Sequence, residues 1–409
     1  MSDPSPFNTN YRKSYSIDDP DSLSYILTEL GEERSNYYNA IAPPIIQTSN
    51  FAFKKIEDLR KVFEDEYSDY LYSRGLNPTI DILRKKLAAL DGAEDALVFN
   101  SGASAIFASV LSQVKTGDHI VSVRKPYTWA QKMFDNILPR FGVTTTYIDG
   151  TQIDQFERAI LPGTKLIYLE SPNSWDFALQ DLTAVAELAK AEGITTICDN
   201  SYSTPLYQQP IAFGIDMVLQ SATKYLGGHS DVVAGVLSGS YGMMKKIFES
   251  ELLNMGNGIS PFNAWLLIRG LRTLPVRMEK IRNSTIQVVN YLKNHPAVEK
   301  VIFPFDPTFS QYALAKKQMK GAGGLFTIIM KTERIESVVK FCESLRHILI
   351  AVSWGGYESL VIPRCASVHP RNFDPSNPEH RMVRFYVGLE EPGYLIADLE
   401  QAFGEVFSS

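Results

Sequence analysis

The chain has 409 residues, enough for roughly two to three domains and for a large core without covalent staples. Its 40 Lys+Arg and 46 Asp+Glu give a net charge of −6, which argues against nucleic acid or an anionic membrane as the main partner; 44% hydrophobic and 21% charged residues exclude a disordered or collagen-like chain. Three widely spaced cysteines (Cys198, Cys342, Cys365) exclude a disulfide framework, and no apolar run reaches the length of a membrane span. The first twenty or so residues carry acids and no apolar core, so no signal peptide is expected and the reading is a soluble, cytoplasmic protein.

Residues 1 to about 40 are polar and read as an arm. The first clear element is NPTIDILRKKLAALDG. Asn77 can cap a helix, Pro78 suits its first turn, Ile80, Leu83, Leu87 and Leu90 recur at helical spacing, and Gly92 follows the last apolar residue. Short apolar runs then alternate with helical patterns: 96–99, 119–123, 144–148, 165–169, 194–198, 215–219 and 232–237. That alternation predicts a mostly parallel sheet with helices on both faces. A helical stretch follows from 241 to about 295. The runs 301–303, 324–330, 348–353 and 383–387, mixed with amphipathic segments, then predict a smaller second α/β domain, with a boundary near 265–275.

In open parallel sheets, ligands bind beyond the carboxyl ends of the strands. There the chain places Asn100-Ser101-Gly102-Ala103, Glu170-Ser171-Pro172-Asn173, Asp199-Asn200-Ser201 and Gln220-Ser221-Ala222-Thr223-Lys224. A small Ser-Gly turn into a helix exposes backbone N–H groups that suit a phosphate. Lys224, among small hydroxyls and followed by glycines, suits a Schiff-base amine. Asp199 suits a positive ring nitrogen, and Tyr127 suits the face of a ring. An amine, an acid, an anion cradle and an aromatic lid are the four things pyridoxal 5′-phosphate (PLP) requires. Neither GxGxxG nor GxxxxGK[ST] occurs, and the six histidines and three cysteines show no metal-ligand spacing.

SATKYLGGHSD (221–231), YSRGLNPT (72–79), CDNSYSTP (198–205) and RGLRTL (269–274) resemble signatures of the Cys/Met-metabolism family of PLP enzymes, of the aspartate-aminotransferase fold type. The resemblance runs from about residue 40 to the C-terminus. It implies an N-terminal arm (1–74) that contributes to a neighbouring subunit, a PLP-binding domain (75–270) and a C-terminal domain (271–409). It implies that Lys224 anchors the cofactor and acts in catalysis, that Asp199 pairs with the ring nitrogen, and that Tyr127 stacks on the ring and also takes part in catalysis. Ser101, Gly102, Ala103, Ser221 and Thr223 would surround the phosphate. Tyr72 and Arg74 would reach the phosphate of the neighbouring subunit, in a homodimer with shared sites and a further homotetramer. Arg384, in MVRFYVGLEE, would bind the substrate carboxylate, with Asn173, Ser353 and Trp354 also near substrate.

AVSWGGYESL (351–360) and ESPNSW (170–175) resemble the cystathionine β-lyase branch, from which Val352 and Asn173 depart. The implied activity is α,β-elimination of L-cystathionine to homocysteine, pyruvate and ammonia. The alternatives are a γ-acting relative (synthase, lyase or sulfhydrylase) and a non-catalytic interaction protein on the same fold.

Overall fold

The computed structural model describes residues 15–407. The chain folds into two compact units. The first holds residues up to 171, 180–227 and 231–272; the second holds 172–179, 228–230 and 273 onward. Two short excursions of the chain, 172–179 and 228–230, therefore belong to the second unit, a division that a single linear boundary does not describe.

The first unit is built on seven strands: β1 (Asp95–Phe99), β2 (His119–Val123), β3 (Thr144–Ile148), β4 (Thr164–Glu170), β5 (Thr195–Asp199), β6 (Met217–Ser221) and β7 (Gly235–Gly239). Their order is β1-β7-β6-β5-β4-β2-β3. The pairs among β2 to β6 are parallel, whereas β7 runs antiparallel to both β6 and β1. The expected run 232–237 thus starts later and reverses, because 222–234 contains no helix to carry a parallel crossover. Neighbouring residues on the central strands point to opposite faces, yet both are buried: Ile120 and Val121, Leu166 and Ile167, Ile197 and Cys198. Each face packs a separate apolar cluster, so helices cover the sheet on both sides.

The helix Pro78–Asp91 forms as the sequence dictates. The Asn77 side chain accepts from Thr79 N–H at 3.0 Å, and Gly92 stops the helix at φ +68°. It is buried nearly all round, and its charges are paired accordingly. Arg84 bonds Asp95 at 3.0 Å and the Ala96 carbonyl at 2.8 Å. Lys86 bonds Glu32 at 3.0 Å and the Ile26 carbonyl at 2.9 Å, which ties the segment around the helix Pro20–Thr28 to its own unit.

The second unit carries β8 (Val298–Ile302), β9 (Leu325–Met330), β10 (Leu349–Ile350), β11 (Leu360–Pro363) and β12 (Met382–Tyr386), ordered β10-β11-β12-β9-β8. The expected strand at 348–353 shrinks to two residues, since Ser353 and Gly355 both adopt φ +87° and turn the chain. Four-residue β11, ended by Pro363, has no counterpart in the hydrophobic pattern. No helix among the described residues is long and apolar enough to cross a membrane.

Candidate functional site

In the first unit the register of the strands lines up their ends. Glu170 stands opposite Asp199, and Gly235 stands opposite both Ser221 and Phe99. The four strand-end segments read from the sequence therefore meet at one edge of the sheet.

Ser101 caps the helix Gly102–Leu111 by accepting from Ser104 N–H at 3.1 Å. The N–H groups of Gly102 and Ala103 find no acceptor among the described residues and lie at an accessible helix start that suits an anion. Two glycines bring the backbones together here. A Cβ on Gly102 would meet the Ser221 Cβ at 3.0 Å, and one on Gly235 would meet the Ser101 carbonyl oxygen at 2.2 Å. Ser221 N–H donates to the Ser201 hydroxyl at 2.7 Å, and Ser201 N–H donates to the Asp199 carboxylate at 2.9 Å. Ser201, the last residue of the Asp199-Asn200-Ser201 strand end, thus links the acid to the strand end at Ser221, which packs against Gly102. The Thr223 hydroxyl is engaged with both backbone groups of Ala234, at 3.1 and 3.2 Å.

Asp199 is buried, and burial pushes its carboxyl above the ordinary range; the bonds from Ser201, and then the charge of Lys224, pull the other way. Tyr127 is half-exposed, and its N–H donates to the Glu170 carboxylate at 2.6 Å. Burial raises the Tyr127 phenol, and the charges of Asp199 and Glu170 add to this. Lys224, Asp199 and Tyr127 therefore share one electrostatic neighbourhood. Glu170, which holds the backbone of Tyr127, is the residue that sequence reasoning misses there; its signal is a lone acid at a strand end. A buried acid, an amine and an orphaned pair of helix N–H groups fit a phosphorylated pyridine aldehyde.

Among the described residues, no hydrogen bond or ion pair joins the side chains of Tyr72 and Arg74 to this group. Both are exposed, and the Arg74 guanidinium sits 5.2 Å over the Tyr72 ring.

In the second unit Arg384 lies on β12 opposite Thr327 of β9 and Ile362 of β11. It is buried, donates to the Ser174 carbonyl at 3.1 Å, and lies 4.9 Å from the Trp175 ring centroid and 5.2 Å from that of Trp354. Thr327 donates its hydroxyl to the Trp175 carbonyl at 2.8 Å, so two bonds hang this loop on the sheet. The Asn173 carboxamide serves the same loop, accepting from Trp175, Asp176 and Phe177 N–H at 2.9 to 3.2 Å and donating to Asp176 at 2.5 Å. Its hydrogen-bonding capacity is largely taken up by that turn. Ser353, at φ +87°, precedes Trp354 in a conformation costly for a residue with a side chain. Trp175 and Arg364, whose guanidinium lies 4.8 Å from the Trp175 centroid, are further residues that sequence reasoning misses. Only the aromatic in ESPNSW signals the first, and nothing local signals the second.

The family described as "Cys/Met metabolism PLP-dependent enzyme" matches residues 26–404. The chain is 38% identical to an L-methionine gamma-lyase of Treponema denticola, covering 91% of this chain and 94% of the relative. It is 34% identical to a cystathionine gamma-lyase of Bacillus subtilis, covering 92% and 97%. A crystal structure of metB from Corynebacterium glutamicum superimposes with a TM-score of 0.86 at 32% identity, covering 94% of this chain and 99% of the other.

Proposed function

Since the chain belongs to the PLP-dependent enzymes of Cys/Met metabolism, with their fold and cofactor, we propose that it is a lyase that cleaves a carbon–sulfur bond of an L-amino acid. The observation that carries this reading is the strand-end group of Lys224, Asp199 and Tyr127 beside the orphaned N–H groups of Gly102 and Ala103. When bound, the cofactor supplies an electron sink next to the substrate Cα. Lys224 anchors it and afterwards takes the Cα proton as general base. Asp199, whose buried carboxylate gains from a neighbouring positive charge, holds a proton at the ring nitrogen. Gly102, Ala103 and Ser221 receive the phosphate behind the Ser101 cap, Thr223 joins them once its hydroxyl proton turns from the Ala234 carbonyl, and Tyr72 and Arg74 serve the phosphate of a second copy of this chain. Arg384 binds the substrate α-carboxylate with its planar fork. Trp175 and Trp354 hold that fork, Asn173 holds the turn that carries Trp175, and Ser353 sets the Trp354 loop. Tyr127 covers the ring and passes a proton to the departing thiolate.

The finer reading is cleavage at Cβ: L-cystathionine and water yield homocysteine, pyruvate and ammonia. The bulky Trp354 beside Arg384 and the SWGGYESL segment support it. A second reading, cleavage at Cγ, draws support from the names of the Treponema and Bacillus relatives. It requires that Lys224 also remove a Cβ proton. The holoenzyme incubated with L-cystathionine separates the two: pyruvate with homocysteine marks the first, and 2-oxobutyrate with cysteine marks the second. A protein that binds no PLP and releases no keto acid from cystathionine or methionine would overturn the lyase reading in favour of a non-catalytic role.

A further inference from the structure

Trp175 carries two arginines, not one. Arg384 lies 4.9 Å and Arg364 lies 4.8 Å from its ring centroid, which caps the separation of the two guanidinium carbons at about 10 Å. Arg364 follows Pro363 at the end of β11, two residues beyond Ile362, the residue opposite Arg384. Its side chain is partly exposed and makes no hydrogen bond or ion pair among the described residues. The nearby acids on these loops are bonded elsewhere: Asp176 accepts from Asn173 and Ala178, and Glu358 accepts from Ser230. Two cations on one aromatic ring repel each other, and an anion reaching both relieves that repulsion. A guanidinium stacked on an indole keeps its fork in place and loses little freedom when it takes up a carboxylate.

We propose that Arg364 recognises a second carboxylate at the far end of the substrate and so selects dicarboxylic over monocarboxylic sulfur amino acids. This rests on the reading of Arg384 as the α-carboxylate site. Arg384 fixes the reacting half of the substrate, and Arg364, on the same ring, takes the distal acid. Cystathionine has such a second acid and methionine does not.

The test compares the holoenzyme on L-cystathionine with analogues lacking one carboxylate: S-(3-aminopropyl)-L-cysteine for cleavage at Cβ and S-(2-aminoethyl)-L-homocysteine for cleavage at Cγ. The expected wild-type preference for cystathionine is on the order of 10- to 100-fold in kcat/KM, the scale of one charge-assisted pair. Arg364→Met removes that preference through KM and leaves the analogue within about threefold, whereas Arg364→Lys keeps part of it. Arg384→Met lowers both substrates. Equal loss on both with Arg364→Met, or no loss on either, overturns the proposal. If the wild type turns over none of these compounds but releases keto acid from methionine, the proposal is overturned while the lyase reading stands; if methionine is not turned over either, the lyase reading fails by itself, and Arg364 is judged by calorimetric binding of adipate against hexanoate. A preference for adipate that Arg364→Met abolishes supports the second carboxylate site; equal binding of the two probes overturns it.

Discussion

Asp199 and Asp91 are both buried acids in the first unit, but their surroundings give them different tasks. Asp199 shares its neighbourhood with the charge of Lys224 at the open end of the sheet. Asp91, at the end of the helix Pro78–Asp91, accepts from Gln220 at 2.8 Å and Ser238 at 2.6 Å. Burial pushes its carboxyl up to about 7. Between the ordinary carboxylate value and about 7, the folded chain holds a proton that the unfolded chain has released. Stability therefore falls as pH rises through that window and levels off above it. Urea unfolding at pH 5 and pH 8 should show a loss on the order of 2 kcal/mol in the wild type, and Asp91→Asn should flatten it. An unchanged slope in the variant would mean that other groups set it. At the site itself, borohydride should fix PLP covalently to the wild-type chain, while Lys224→Ala should release it on denaturation. Retention in the variant would identify a different anchoring lysine. These residues were legible because Lys224 and Asp199 stand at strand ends in short, local motifs. Ser201 and Glu170 were legible only as members of such strand ends; their roles were not, because those are hydrogen bonds made across neighbouring strands.

At the scale of elements, the first sheet works by ending several strands at one level. Gly235 opens β7 with Ser221 on one side and Phe99 on the other, and nothing larger than hydrogen fits against Ser101. Gly235→Ala should push Ser101 and the start of the Gly102–Leu111 helix away and raise the Kd for PLP about tenfold or more, as a backbone shift near 1 Å spoils several phosphate bonds together. Equilibrium dialysis of the folded apo variant measures this, and an unchanged Kd would remove the turn from the phosphate site. The central strands were readable as apolar runs since both sheet faces are covered. The antiparallel course of β7 was not, because direction depends on what connects the strands. Nor was β11, whose short run ends in a proline that reads against a strand.

At the scale of the molecule, the first unit holds the residues proposed for the cofactor and the second holds the Arg384 group. Tyr72 and Arg74 stand exposed in one copy, and among the described residues their side chains pair with each other alone. If they serve a second copy, Arg74→Ala and Lys224→Ala homo-oligomers should each be nearly inactive. A refolded equal mixture should regain roughly a quarter of the wild-type activity, since one site in each mixed dimer is whole. Absence of recovery in mass-verified mixed dimers would place Arg74 in its own chain's chemistry.

The sequence by itself determined the fold class and the cofactor, and it placed the residues proposed to meet that cofactor. Those residues follow strands of the first sheet, and the alignment of parallel strands brings such ends together without further information. Only the tertiary structure decided what surrounds Arg384. Trp175, Trp354, Arg364 and Arg384 come from separate stretches of chain. They converge through the register of β9, β11 and β12 and through two backbone carbonyls at Ser174 and Trp175. A one-residue slip in any of those pairings would turn the side chains to the other face, and no local pattern in the sequence fixes that register.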